Sequence, residues 1–205
     1  MIGTYGGRLS TLALASGLMV ALAGQAAAQR RETISAPVGG VYVGIFAGAV
    51  ALDSTINLQA DGTRPGAKLV DQGGDGAIVG LRTGWGTLVS QHVYTGLELE
   101  GVVPIDANSR YDVNGLRYRR RLQNEVGAYG RVGWSPDGYS LLFLRGGLAV
   151  PLTTVDQRVI AIIGAGAEVP FGRRFAGRVD ISYSFPFGGA HLETYRLIAG
   201  VVLRF

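Results

Sequence analysis

The chain has no cysteine. That excludes a disulfide scaffold, a thiolate metal site, a cysteine nucleophile and a lipid anchor built on cysteine. Lysine is almost missing as well: of 19 basic residues only Lys68 is lysine and the rest are arginine. The two histidines, His92 and His191, fall in a turn and a loop and read most simply as solvent-exposed. No Gly-x-Ser-x-Gly, no His-Glu-x-x-His and no glycine-rich phosphate loop occurs, so the common hydrolase, zinc-protease and nucleotide-binding signatures are missing. Beyond residue 28 there is no run of ~18 apolar residues, which excludes a membrane-spanning helix there.

What is present starts at the amino terminus. Arg8 supplies a positive lead, Leu12 to Ala23 an apolar stretch, and Ala26-Ala27-Ala28 a small-residue cleavage site before the polar Gln29-Arg30-Arg31-Glu32. This is the pattern of a cleaved export signal over 1–28. The apolar stretch is shorter than the ~20 residues of a spanning helix. Removing it takes one cation from the formal charge of +4. Export argues against nucleic acid as the partner of the remaining basic excess and favours anionic lipid headgroups.

After a short lead over 29–39, eight segments follow: 41–52, 76–89, 92–103, 121–134, 139–150, 157–169, 175–185 and 195–205. Each is apolar at alternate positions, the period of a strand, and each covers the ~9–11 residues of a tilted strand that crosses a bilayer. Five of the seven prolines, Pro104, Pro136, Pro151, Pro170 and Pro186, follow segment ends. Proline cannot donate to a strand ladder and belongs at such places.

The last segment shows the pattern most clearly. Phe205, Leu203, Val201, Ala199, Leu197 and Tyr195 occupy one face; Arg204, Val202, Gly200, Ile198 and Arg196 occupy the other. Every charged segment repeats this segregation. The inward set is Arg82, Glu98, Glu100, Glu125, Arg131, Arg145, Arg158, Glu168, Arg178, Asp180, Arg196 and Arg204, seven cations and five anions. Opposite them stand leucine, valine, isoleucine and aromatics, with Leu122, Val126, Ala128, Val132 and Trp134 assigned outward in the fourth segment. The first segment carries no charge and offers no such test. A face of glycine and charge cannot be the core of a water-soluble barrel, and the opposite face is too continuously apolar for water. In hydrocarbon the assignment resolves as apolar out, polar in and edges closed. The expected fold is all-β: an eight-stranded antiparallel up-and-down transmembrane barrel over 40–205.

An even strand count makes 89–92, 135–138 and 170–174 short periplasmic turns and leaves about 53–75, 104–120, 151–156 and 186–194 as outer connections, the first two long. Aromatic belts then fall at Trp85, Trp134, Phe175 and Phe205 on one rim and at Tyr183, Phe185 and Tyr195 on the other.

Two motifs carry a family likeness: Gly40-Val-Tyr-Val-Gly44-Ile-Phe-Ala-Gly48 at the start and Ala199-Gly200-Val201-Val202-Leu203-Arg204-Phe205 at the end. With them the chain resembles the small eight-stranded outer-membrane barrels, the OmpA/OmpX-like and opacity-type porin family proteins. The resemblance implies an outer-membrane location in a Gram-negative envelope. It also implies recognition of the last strand, through Phe205, Leu203 and Val201, by the barrel-assembly machinery. No peptidoglycan-binding domain is expected after the barrel.

The inward charges are expected to form a paired network that fills the narrow lumen, since unpaired charges there would cost several kcal/mol each. A narrow or gated pore is the alternative. Arg117, Arg119, Arg120 and Arg121 cluster at the base of the second long loop, where arginine forks suit lipopolysaccharide phosphates. Asp71-Gln-Gly-Gly-Asp75 has oxygen ligands but lacks a known calcium-loop spacing, so neither a metal nor any other cofactor is expected. A lipid-acting enzyme built on His191 is disfavoured because Glu193 stands where the His-x-Ser of lipid A deacylases needs serine. A soluble lipocalin-like carrier is the remaining alternative. The expected function is non-enzymatic: envelope integrity, or contact through the long loops with a host or environmental surface whose ligand the sequence leaves unknown.

Overall fold

A computed structural model describes residues 37–58, 67–69, 74–113, 116–152, 159–187 and 191–205. The export signal, most of the lead, Arg158 and most of Asp71–Asp75 lie outside them. Period-two alternation turns the described chain into ten strands: β1 (Gly40–Leu58), β2 (Ala67–Leu69), β3 (Gly74–Leu88), β4 (Val93–Val113), β5 (Leu116–Arg121), β6 (Glu125–Trp134), β7 (Leu141–Pro151), β8 (Ile160–Pro170), β9 (Phe175–Pro186) and β10 (His191–Arg204). Eight of them, all but β2 and β5, pair with their sequence neighbours in up-and-down order, and β10 pairs back onto β1. All these pairings are antiparallel, and Tyr42 opposite Arg204 begins the closing seam. The sheet is a closed barrel with no free edge among these eight strands. Closure pairs each of these eight strands on both sides within the sheet.

Each of the three turns at the end where β1 starts is tight. Val89 N–H donates to the Val93 carbonyl and Phe171 N–H to the Phe175 carbonyl within their own turns, while Ser135 N–H ties the β6–β7 turn to the His92 carbonyl of the β3–β4 turn. In the β6–β7 turn Asp137 accepts from the backbone N–H groups of Tyr139 and Ser140 at 2.8 and 2.6 Å. Burial alone would raise this carboxyl, but these donors hold it below the usual carboxylate range. The turn needs Gly138 at a φ of 73°, a left-handed conformation that other residues rarely adopt.

At the opposite, loop end the strands run further than the sequence pattern suggests. β1 continues to Leu58 and meets the short β2. β4 runs through Pro104 to Val113 and folds back as β5, with Asn108 opposite Arg121. Most of the expected 104–120 loop is therefore a β-hairpin raised above the barrel, and β10 starts at His191 rather than Tyr195. Pro104 is tolerated because it sits where β4 changes partner. Val102, two residues before it, is the last residue paired to β6, and pairing on that side resumes with β5 at Asn108.

That break also corrects Leu122. It is buried, only 7% exposed, and packs in the lumen against Val50, Val102 and Ala107 instead of facing outward. Gln123 and Asn124 are both exposed and Glu125 is buried again, so the alternation skips across the break between β5 and β6. Such a bulge reverses side-chain parity.

Close approach across the seam depends on glycine. A Cβ placed on Gly48 would stand 2.3 Å from the Leu197 carbonyl oxygen, whereas one on Gly101 would meet nothing within 4 Å. Gly48→Val should therefore lower the yield of the compact, heat-modifiable barrel, with an overpacking cost of about 1–3 kcal/mol in urea unfolding. Gly101→Val should leave the midpoint near that of the parent.

Candidate functional site

Strand parity aims two chemically opposite surfaces from one wall. Outside, Ile45 on β1, Leu81 on β3, Leu97 on β4 and Leu144 on β7 are each more than 60% exposed. Val132, Ile163, Ile181 and Val201 carry the same apolar surface across the remaining strands. Inside, eleven of the twelve predicted lumen charges are buried; Arg158 is the one outside the described residues.

The charges meet in the middle of the barrel. Glu98 on β4 accepts from both terminal nitrogens of Arg178 and from Arg145 Nη1 at 3.2 Å. Arg131 Nη1 approaches it to 3.6 Å. Glu100, one pleat on, takes a two-point fork from Arg145 at 2.9 and 3.1 Å and faces Arg82 at 3.5 Å. Asp180 joins Arg82 Nη1 (2.9 Å) to Arg178 Nε (2.8 Å). Toward the turn end Glu168 bridges Arg131 and Arg204. Toward the loop end Arg196 forks onto Glu125. Among the described lumen charges every carboxylate touches at least one guanidinium, which is what buried charge requires.

Six cations against five anions leave an excess, and aromatic faces offset it. Arg82 lies 4.4 Å from the ring centre of Phe46, Arg145 4.0 Å from Tyr129, and Arg131 and Arg178 lie 4.2 and 4.4 Å from Phe143. The ring quadrupole attracts a guanidinium above it, by about 2 kcal/mol when desolvated. Tyr42 enters the network directly. Its hydroxyl donates to Glu98 Oε2 at 2.6 Å and accepts from Arg131 Nη1 at 2.7 Å.

These aromatics were not among the predicted site residues. Phe143, Tyr94 and Tyr129 share parity with neighbouring charges, a usable signal. Tyr42 and Phe46 sit in the uncharged stretch 41–52 of β1, so the register with β10 and β3 is what shows that they point inward.

Apolar plugs close both ends of this layer. Val38, Tyr94, Leu141 and Phe143 pack together at the turn end, where Val38 N–H donates to the Gly138 carbonyl at 2.8 Å. Val50, Leu52, Ile78, Val102 and Ile198 form the loop-end plug. The arrangement is a desolvated salt lattice between two greasy layers. It offers no exposed general base or nucleophile from the lumen set, and among the described residues there is no group of three or more side chains suited to a metal.

The predicted belt residues lie on the outer wall. Trp85, Trp134, Phe175 and Phe205 are 46–65% exposed at the turn end. Near the loop end Tyr183 packs against Tyr195 at 5.0 Å and against Phe185 at 5.8 Å. Leu203 and Val201 continue the outer face of β10. Arg117, Arg119, Arg120 and Arg121 fall on β5, with Arg119 opposite Arg110 and Arg117 opposite Asp112. His92 is exposed in a turn and His191 opens β10.

No protein-family model and no curated protein matches the sequence. Among solved structures, the chain is similar to Ail, the attachment invasion locus protein of Yersinia pestis, at 11% identity over 81% of this chain and 99% of that one, TM-score 0.40. It is also similar to the CymD monoaromatic hydrocarbon channel, at 11% identity over 81% of this chain and 48% of that one, TM-score 0.35. The beta domain of the Bordetella autotransporter BrkA matches at 18% identity over 82% and 69%, TM-score 0.34. No residue role passes from these proteins to this chain.

Two of the three buried tyrosines, Tyr42 and Tyr129, should separate cleanly. Tyr42→Phe removes a donor from Glu98 and an acceptor from Arg131, and should cost about 1–3 kcal/mol in urea unfolding. The Tyr129 hydroxyl makes no hydrogen bond among the described residues. Tyr129→Phe keeps the ring under Arg145 and should be close to neutral.

Proposed function

We propose that this chain is an integral outer-membrane β-barrel protein that acts without enzymatic turnover, as a rigid, non-conducting element of the envelope. The supporting observation is the inverted wall: leucines and isoleucines exposed outside, paired arginines and carboxylates sealed inside. In water such a molecule would expose one continuous apolar girdle; in a bilayer the same girdle is the favourable surface. The export signal expected over 1–28 and the terminal strand ending in Phe205 support delivery to the barrel-assembly machinery and insertion.

The rim chemistry suits lipid partners. The exposed aromatics are the residues that favour the bilayer interface. The arginines of β5 suit lipopolysaccharide phosphates, because a planar guanidinium fork matches phosphate in two-point hydrogen bonds. The β4–β5 hairpin, which pairs only with itself beyond the barrel wall, is the part offered for contact with an external surface.

Membrane fractionation followed by gel mobility with and without heating tests the class: the protein should partition with the outer membrane and shift on boiling. In planar bilayers the refolded protein should show no unitary conductance, since both lumen ends are packed; stepwise openings would turn the reading to a pore. Leu81→Arg places a cation on the lipid face near mid-wall and should cost about 2–4 kcal/mol of stability in vesicles. In a water-soluble barrel the same exposed substitution would be nearly silent.

A further inference from the structure

The three turns at the closed rim differ in charge. Val89-Ser-Gln-His92 carries no formal charge and the β6–β7 turn carries Asp137, but Phe171-Gly-Arg-Arg-Phe175 between β8 and β9 presents two adjacent cations. Arg173 and Arg174 are both exposed, and neither makes an ion pair or hydrogen bond through its side chain among the described residues. The two phenylalanines that bracket them stack at 6.0 Å with their planes 17° apart. Both stay open to the outside, 58% and 46% exposed. Phe171 reaches along the outer wall: a Cβ on Gly177 would stand 3.9 Å from its Cδ1. The turn is rigid, with Phe171 N–H bonded to Phe175 and Arg204 N–H bonded to the Arg174 carbonyl at 2.8 Å. A stacked aromatic pair on the wall thus holds two unpaired guanidinium groups at the rim, level with the end of the closing strand.

We infer that the β8–β9 turn is a binding site for the phosphate of an anionic phospholipid headgroup in the leaflet at the turn end. The inference rests on the membrane reading above and adds a partner and an address to it. Phe171 and Phe175 would lie among the upper acyl carbons, and Arg173 and Arg174 would fork onto the phosphate just outside. Guanidinium suits phosphate through planar two-point hydrogen bonds, and an aromatic anchor fixes the depth at which the cations meet it. The other two turns lack both cations and a stacked pair, so the site is on one side of the barrel.

The test compares the intact protein with R173Q/R174Q, both folded into vesicles of phosphatidylcholine alone and of phosphatidylcholine mixed with phosphatidylglycerol. Unfolding in urea is followed by the fluorescence of Trp85 and Trp134. Phosphatidylglycerol should slow unfolding of the parent by about ten-fold or more at low salt, from roughly one arginine's worth of surface attraction for each cation. High salt should erase the difference, and the double variant should keep the parent's rate in phosphatidylcholine while losing the phosphatidylglycerol effect. F171S should weaken the effect without removing a charge. Inorganic phosphate added to the detergent-folded protein separates headgroup from free anion: protection equal to that of the lipid would overturn the lipid assignment. An unchanged phosphatidylglycerol effect in R173Q/R174Q, or none in the parent, overturns the site. Failure of the parent to enter either vesicle would instead overturn the membrane reading.

Discussion

Six guanidinium groups and five carboxylates can share the axis of a narrow barrel only if each finds a partner there. Moving such groups out of water costs several kcal/mol apiece, which excellent geometry must return. Here the geometry centres on Glu98, whose oxygens serve Arg178, Arg145 and the Tyr42 hydroxyl. Four strands, β1, β4, β7 and β9, therefore converge on one carboxylate. A lattice of this kind opposes any shear that would slide one strand past another, because a two-residue slip moves each guanidinium away from its acceptor. Register and charge pairing thus enforce each other.

The aromatics are part of this constraint. Leucine in place of Phe143 would fill comparable space but offer neither Arg131 nor Arg178 a negative face. Stacking also explains how the described lumen holds one more cation than anion without a compensating acid. The apolar plugs at either end act in the same direction. By keeping water from the charged layer they lower the local dielectric, so each pair is stronger and each broken pair costs more.

Much of this was legible in the residues. Charge parity on seven segments identified the inner wall, and the outer girdle followed as its complement. Parity says which side a residue faces, but nothing about its height along the axis. The pairing of Arg196 with Glu125, or of Arg204 with Glu168, depends on stagger between strands far apart in sequence. Leu122 was misassigned because a bulge resets alternation and leaves no mark in composition. The β4–β5 hairpin was hidden because Pro104 reads as a strand end, although Ile105, Ala107, Tyr111 and Val113 beyond it still alternate with Asp106, Asn108, Arg110 and Asp112. Tyr42 was silent for a simpler reason: residues 41–52 of β1 hold no charge to reveal which face looks inward.

The seam between β1 and β10 joins the first and last strands of the barrel, with Tyr42 opposite Arg204. Until β10 arrives, β1 and β9 each present a row of unpaired amides and carbonyls, which cost free energy wherever water cannot reach them. Partial barrels are therefore penalised twice, by raw edges and by an arginine lattice lacking Arg196 and Arg204. Assembly should be all-or-none, with little gained until β10 joins β1. A chain of this design must be kept from aggregating until all eight strands are available, before any of its stability can be realised.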